Sequence, residues 1–343
     1  LSPRRLAGLR WLFVDALFGQ ASGSFYDEFV ALFALALGAT ADRIGALVGL
    51  SNLFGVVAYL PGAAAVGRLR TRKPFVIATN GGLARLAILA MAFVPLLARG
   101  PAAAFTLILA LRSVTVFMGS TGTPPATSIV ADLVPARSRG RYFSSRNAAM
   151  GIVAFAAAPL AGLLASRLNR GAGGGTLGYQ VVFAVSFAFG MLSTLSFSRI
   201  PEPPAPRRRS RSGSLRRVPG MLARNPGFAW LVGSSLLWSL AMSLAGPFFN
   251  VYLVQGLGGT AANVGASAGI YAATTLVGQL VFGALVDRRG NRRLFVLTGL
   301  LVPFLPAWAT LLLVAAGAWR WAADRRRWPL PPKWLRVVAV AAV

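Results

Sequence analysis

The chain has 343 residues, 56% of them hydrophobic and 13% charged, with a mean hydropathy of +0.64, more than a solvated surface can carry, so a lipid bilayer is the expected solvent. The formal charge of +27 would suggest nucleic acid, but the Arg clusters fall between long apolar runs rather than among polar and aromatic residues, and no nucleic-acid partner is expected. With neither Cys nor His there is no disulfide, thiolate metal site, Cys nucleophile or imidazole base, which argues against enzyme chemistry and against a metal or cofactor.

A spanning helix needs about 20 mostly apolar residues. Nine windows meet this, near 11–37, 44–66, 74–98, 102–131, 142–166, 178–198, 227–255, 262–286 and 294–318. Most are joined by short turns, so neighbours run antiparallel. A barrel is excluded, because barrel strands alternate apolar and polar residues over short segments. The first window is no signal peptide, since it carries Asp15, Asp27 and Glu28. The chain starts on Leu1 and ends within the apolar run Val337–Val343, and it is expected to be incomplete at its C-terminus.

Lys and Arg are retained on the cytoplasmic side. With the N-terminus inside, the inner segments hold 23 basic residues and the outer loops through the eighth window hold four, Arg43, Arg99, Arg167 and Arg170. The expected location is a plasma or inner cell membrane, multi-pass, with a cytoplasmic N-terminus. The segment 319–336, WRWAADRRRWPLPPKWLR, breaks this pattern. Three explanations stand: a basic outer loop, a ninth window that does not span, or a sequence artefact, of which the last is preferred.

An internal repeat lies at an offset of 220 residues. Residues 37–50, LGATADRIGALVGL, match 257–270, LGGTAANVGASAGI, at seven of fourteen positions, and Arg68, Arg72, Lys73, Phe75 and Val76 fall on Arg288, Arg292, Arg293, Phe295 and Val296. Windows one to three thus correspond to seven to nine, and the repeating unit is six helices. The division expected is 1–198, an N-terminal six-helix half; 199–226, a basic, Pro-rich cytoplasmic linker; and 227–343, an incomplete second half of three helices, a basic segment and the start of a fourth. The linker reads as a tether lying on anionic headgroups rather than a regulatory site.

Between windows eight and nine lies Gly283-Ala-Leu-Val-Asp287-Arg288-Arg289-Gly290-Asn-Arg292-Arg293. It resembles the Gly-x-Leu-x-Asp-Arg-x-Gly-Arg-Arg signature of the major facilitator superfamily. The resemblance implies an all-α membrane fold of two six-helix halves, a pseudo-twofold bundle that rocks about a midplane site. It implies a conformational latch at Gly283, Asp287, Arg288, Gly290, Arg292 and Arg293, to which Arg139 and Gly140 of the Pro135-to-Arg141 segment are added. A plain positive-inside turn is the bland alternative. In the first repeat copy Ala63, Gly67 and Arg70 replace the two Gly and the Asp, which argues against a latch there. Pro159 and Gly162 in the fifth window match only part of the family's antiporter pattern.

Charged groups at membrane depth face a cavity or a partner. In the first window Gln20, Ser24 and Asp27 fall within about 60° of one another, with Glu28 at the edge, and Phe18, Phe25, Phe29 and Phe33 on the other side, toward lipid or an outer helix. Arg112 of the fourth window lies at the depth of Asp27, each roughly 5 Å outward of the midplane at about 1.5 Å per residue. The family ties an Arg of this helix to proton coupling. Asp27 or Glu28 is therefore a candidate proton carrier tuned by Arg112, and a permanent ion pair is the equal alternative. Arg85 is expected to be structural, paired with an acid or snorkelling. Further cavity candidates are Asn52, Tyr59, Trp238, Ser239, Asn250, Tyr271, Thr275 and Gln279, a mixture suited to a small, partly apolar organic solute.

The expected function is secondary transport of such a solute by a monomer, first as proton-coupled efflux and second as proton-linked or facilitated uptake. A non-transporting sensor or scaffold on the same fold is the reading of another class.

Overall fold

A computed structural model of the chain describes residues 3–135, 139–171, 175–202, 220 and 223–289. The ninth window, segment 319–336 and most of the linker lie outside them. The described residues are helical, with no strand among them, and fill eight of the expected windows.

The first window forms not one helix but two, α1 (Pro3–Tyr26) and α2 (Phe29–Ala36). The break falls on Asp27 and Glu28, adjacent acids that leave the helix toward different partners. Gly38 (φ 89°) then ends α2 with Gly38 N–H bonded to Leu35 O and Ala39 N–H reaching back to Ala34 O, a left-handed cap that only glycine adopts cheaply. The next element is α3 (Ala41–Arg68). The third window is pieced together from α4 (Lys73–Val76), a π-helical segment Ile77–Leu83, α5 (Ala84–Ala92) and α6 (Val94–Leu97). Then come α7 (Pro101–Leu133), α8 (Arg139–Gly171), α9 (Leu177–Ser198), α10 (Pro226–Val251) with a π-helical end Tyr252–Gly256, and α11 (Ala261–Arg289).

Five helical stretches, Ala41–Arg68, Lys73–Ala92, Pro101–Leu133, Tyr142–Arg170 and Leu177–Ser198, are long and apolar enough to cross a bilayer. Large apolar side chains such as Leu53, Val56, Leu96 and Leu160 point outward, which water would penalise and lipid does not. With lipid outside, helices associate through close packing of small residues. On α3, Gly55 sits against Val116 and Gly62 against the Thr121 carbonyl of α7, so a Cβ at Gly62 would collide with backbone. The phenylalanine row of the first window turns to α9 rather than to lipid. Phe33 meets Phe183 edge-on at 5.2 Å and Phe25 meets Phe189 at 5.8 Å, while Phe29 and Phe33 are fully buried.

The end that carries the start of α1 is fastened by a charged clasp. Arg72 is only 2% exposed; its Nη1 reaches Asp132 Oδ2 of α7 at 2.9 Å and donates to Ser128 Oγ. The Arg72 and Lys73 backbone N–H groups both donate to the Glu202 carboxylate, and Lys73 Nζ donates to Ile200 O at 2.8 Å. The degraded signature copy thus ties the ends of three spans within one half. Glu202, part of a stretch read from sequence as a tether, is one of its anchors.

Candidate functional site

The apolar residues of α1 face α9, which leaves its small and polar face to a cavity of about 650 Å³. Ala16, Gly19, Gln20, Gly23, Ser24, Asp27 and Glu28 line it at helical spacing, opposite Met150, Gly151, Ala154 and Ala158 of α8 and Ala268, Tyr271, Ala272, Thr275 and Leu276 of α11. Gln20 Nε2 donates to Ser24 Oγ at 3.4 Å, a weak tie along the stripe.

The two acids at the α1 break part company. Asp27 Oδ1 accepts from Arg112 Nη1 of α7 at 2.8 Å. Asp27 lines the cavity with its side chain 58% exposed, while Arg112, 22% exposed, lies outside the lining with its guanidinium 4.9 Å over the Tyr26 ring. Glu28 Oε2 accepts from Asn250 Nδ2 at 2.9 Å, a bond that joins the two halves. Asp15, nearer the start of α1, also lines the cavity and accepts from Ser193 Oγ of α9 at 2.6 Å, with Arg146 of α8 beside it on the same wall. Sequence reading counted Asp15 among the acids of the first window but gave it no role. It begins the i, i+4 row Asp15, Gly19, Gly23, Asp27, which is the signal in the sequence.

Contacts between the halves close the cavity at the end away from the start of α1. There α8 and α11 cross backbone to backbone: a Cβ on Gly162 would stand 2.5 Å from Ala261 O, and one on Gly265 2.5 Å from Ala158 O. Gly45 of α3 approaches Phe248 of α10 at the same end. Nearer the start of α8 the approach is looser, with the Cβ position of Gly151 3.5 Å from Leu276.

Other candidates are placed elsewhere. Asn52 and Tyr59 are exposed and do not line this cavity, because Ser51, Gly55, Ala58 and Gly62 form the buried stripe of α3. Ser239 is likewise exposed and outside the lining. Arg85 has no acid within salt-bridge distance among the described residues; its Nη1 donates to Ser22 Oγ at 2.8 Å. Arg139 caps the end of α7 through Ala131 O and Val134 O, and Gly140 has open space around it. Gly283, Asp287 and Arg288 belong to the last turns of α11, but their side-chain surroundings, with those of Trp238 and Gln279, lie outside what is described, as do Gly290, Arg292 and Arg293 altogether. Among the described residues no three acids gather as a metal site.

The family model of the Major Facilitator Superfamily matches residues 16–323. Among solved structures, a bacterial homolog of the human lysosomal transporter Spinster, inward-facing and unoccupied, is 18% identical with a TM-score of 0.61, covering 100% of this chain and 73% of that one. A D-xylose-proton symporter is 16% identical with a TM-score of 0.58, covering 98% and 78%. XylE from E. coli, partially occluded and inward open, is 16% identical with a TM-score of 0.56, covering 98% and 82%. No curated protein sequence matches the chain.

Proposed function

The chain belongs to the major facilitator superfamily and is a membrane transporter rather than an enzyme, and from that premise we propose that it couples movement of a small, partly apolar solute to protons at Asp27 and Glu28. The observation that carries the reading is Asp27, which lines a cavity large enough for a solute and is held from behind by one bond to Arg112. A carboxylate held by one guanidinium and open to solvent can exchange its partner for a proton, whereas a pair serving only to neutralise two charges gains nothing from facing the cavity. Glu28 is the second carrier: its bond to Asn250 spans the halves, so its protonation state bears on whether that end opens.

With the basic loops in the cytoplasm the closed end faces outward and the cavity belongs to the inward-open side of an alternating-access cycle. Efflux by proton antiport is the first assignment. The likeness to a D-xylose-proton symporter favours proton-linked uptake as the second. We assign the latch role to the Gly283-to-Arg293 segment, an N-terminus in the cytoplasm, and a monomer in the plasma or inner membrane.

A thermal-shift screen of the intact protein against amphipathic compounds supplies a solute, and proteoliposomes holding a pH dye then report solute and proton together. Asp27→Asn or Glu28→Gln abolishes proton-driven accumulation while solute counterflow persists. Unchanged pH dependence in both variants would overturn the coupling.

A further inference from the structure

Tyr26 and Asp27 are neighbours in the chain, and both hold Arg112. Asp27 takes an edge of the guanidinium, where its Oδ1 accepts from Nη1 at 2.8 Å, while the Tyr26 ring takes the flat face, with Cζ 4.9 Å from the ring centroid. Edge and face are different parts of the group, so one partner can let go without displacing the other.

The ring is built to stay. Tyr26 closes α1, is 3% exposed and meets the fully buried Phe183 of α9 edge-on at 5.8 Å, and Phe183 in turn meets Phe33 of α2. Asp27, by contrast, lies in the break between α1 and α2 and is open to the large cavity. Behind α1 the guanidinium borders a space of about 290 Å³, which gives it room to swing away once its carboxylate is neutral. Other charged groups near the pair are few. Glu28, next in the chain, is bonded to Asn250, and Arg85 of α5, which lines the same space, donates to Ser22 and brings no counter-charge. Helices α2, α9 and α10 carry no charged residue, and Arg146 of α8 stands with Asp15, about 18 Å back along α1. The negative face of a ring attracts a guanidinium and repels a carboxylate beside it, so the net hold of Tyr26 on Arg112 is greatest when Asp27 is protonated.

We propose that Tyr26 is a positioning residue of the proton exchange: its ring retains the Arg112 guanidinium while Asp27 carries the proton, which favours that state and keeps the ion pair ready to re-form. The step is a proton taken from water by the Asp27 carboxylate, with Arg112 charged throughout. This rests on the proton-coupling reading above and adds to it a residue outside the lining of the large cavity.

The test is pH-titrated infrared difference spectroscopy on the purified full chain in lipid nanodiscs, which needs no solute. The carboxylic-acid C=O band that disappears in Asp27→Asn belongs to Asp27, and its midpoint reports how readily that group takes a proton. Removing the ring in Tyr26→Leu moves the midpoint to lower pH by about half to one unit. Tyr26→Phe keeps the ring and drops the hydroxyl, which lies near Arg112 and Thr115, and moves the midpoint less than half as far. Trifluorophenylalanine at the same position has the shape of phenylalanine without the negative ring face, and moves it nearly as far as leucine. Should Tyr26→Leu fail to give monodisperse protein, the comparison of the two phenylalanine side chains decides alone. A midpoint unchanged in these variants, equal for phenylalanine and its trifluoro form, or displaced to higher pH overturns the role of the ring. A Tyr26→Phe shift as large as that of Tyr26→Leu overturns it in favour of the hydroxyl. The two readings fail separately: absence of any Asp27 band in the parent sinks proton coupling at Asp27 and this role with it, whereas a band indifferent to Tyr26 sinks this role alone.

Discussion

Two arginines of the first half hold carboxylates in opposite ways. Arg72 is buried at the end of the bundle, joined to Asp132 and Ser128, with Glu202 bonded to its backbone N–H. Arg112 is joined to one oxygen of an Asp27 that is largely open to a cavity. The first is shut away at the Arg72 side chain, 2% exposed, and held by several partners, while the second borders a cavity through Asp27. An ion pair in this bundle is therefore structural or exchangeable according to how many partners surround it and what borders it, not according to its length, which is 2.9 Å in one case and 2.8 Å in the other.

The largest expected break in that contrast is Arg72→Ala, which leaves Asp132 and Glu202 without their cation in a partly buried place. A loss of about 3–5 kcal/mol is expected, read as a sharply lower melting temperature or failure to obtain monodisperse protein. Next is Gly62→Ala, whose new Cβ meets the Thr121 carbonyl inside the first half and costs about 1–3 kcal/mol by thermal unfolding. Gly162→Ala sharpens the comparison, because its clash with Ala261 lies between the halves. Its expected effect is less on stability than on population: spin labels on Thr40→Cys and Gly258→Cys, introduced into a chain with no cysteine of its own, show a longer distance across the closed end. Asp27→Asn has the smallest effect on stability, about 1 kcal/mol, because the side chain is 58% exposed and its amide oxygen still accepts from Arg112, while proton-driven transport is lost. A melting temperature that fell as far for Asp27→Asn as for Arg72→Ala would erase the distinction.

Much of the fold is legible in the sequence because lipid imposes long apolar runs, and eight of these windows are helical among the described residues. The approach of Asp27 to Arg112 is legible for a related reason: the rise per residue fixes depth, and charges at equal depth in facing helices find one another. The break at Asp27–Glu28 is not, since apolar periodicity runs straight through it and only the two adjacent acids mark it. The Glu202 clasp is hidden by the Pro- and Arg-rich composition that follows it, which reads as a tether. Asn52 and Tyr59 show the limit of spacing arguments, because periodicity groups residues on a face but does not say which face meets the cavity. A space of about 290 Å³ that Arg85 and Arg112 line between α1, α5 and α7 needs three helices and a π-helical turn to exist, and no single stretch of chain announces it.

The glycine crossing of α8 and α11 has a mechanical consequence. Where two helices touch through backbone alone there are no side chains to unlock and repack, so the contact behaves as a bearing rather than as a seal. From Gly265 to the end of α11 at Arg289 the helix forms a lever roughly 36 Å long at about 1.5 Å per residue. A swing of about 10° on that bearing moves the far end by roughly 6 Å, so a small rotation at one face of the membrane becomes the opening or shutting of a doorway at the other.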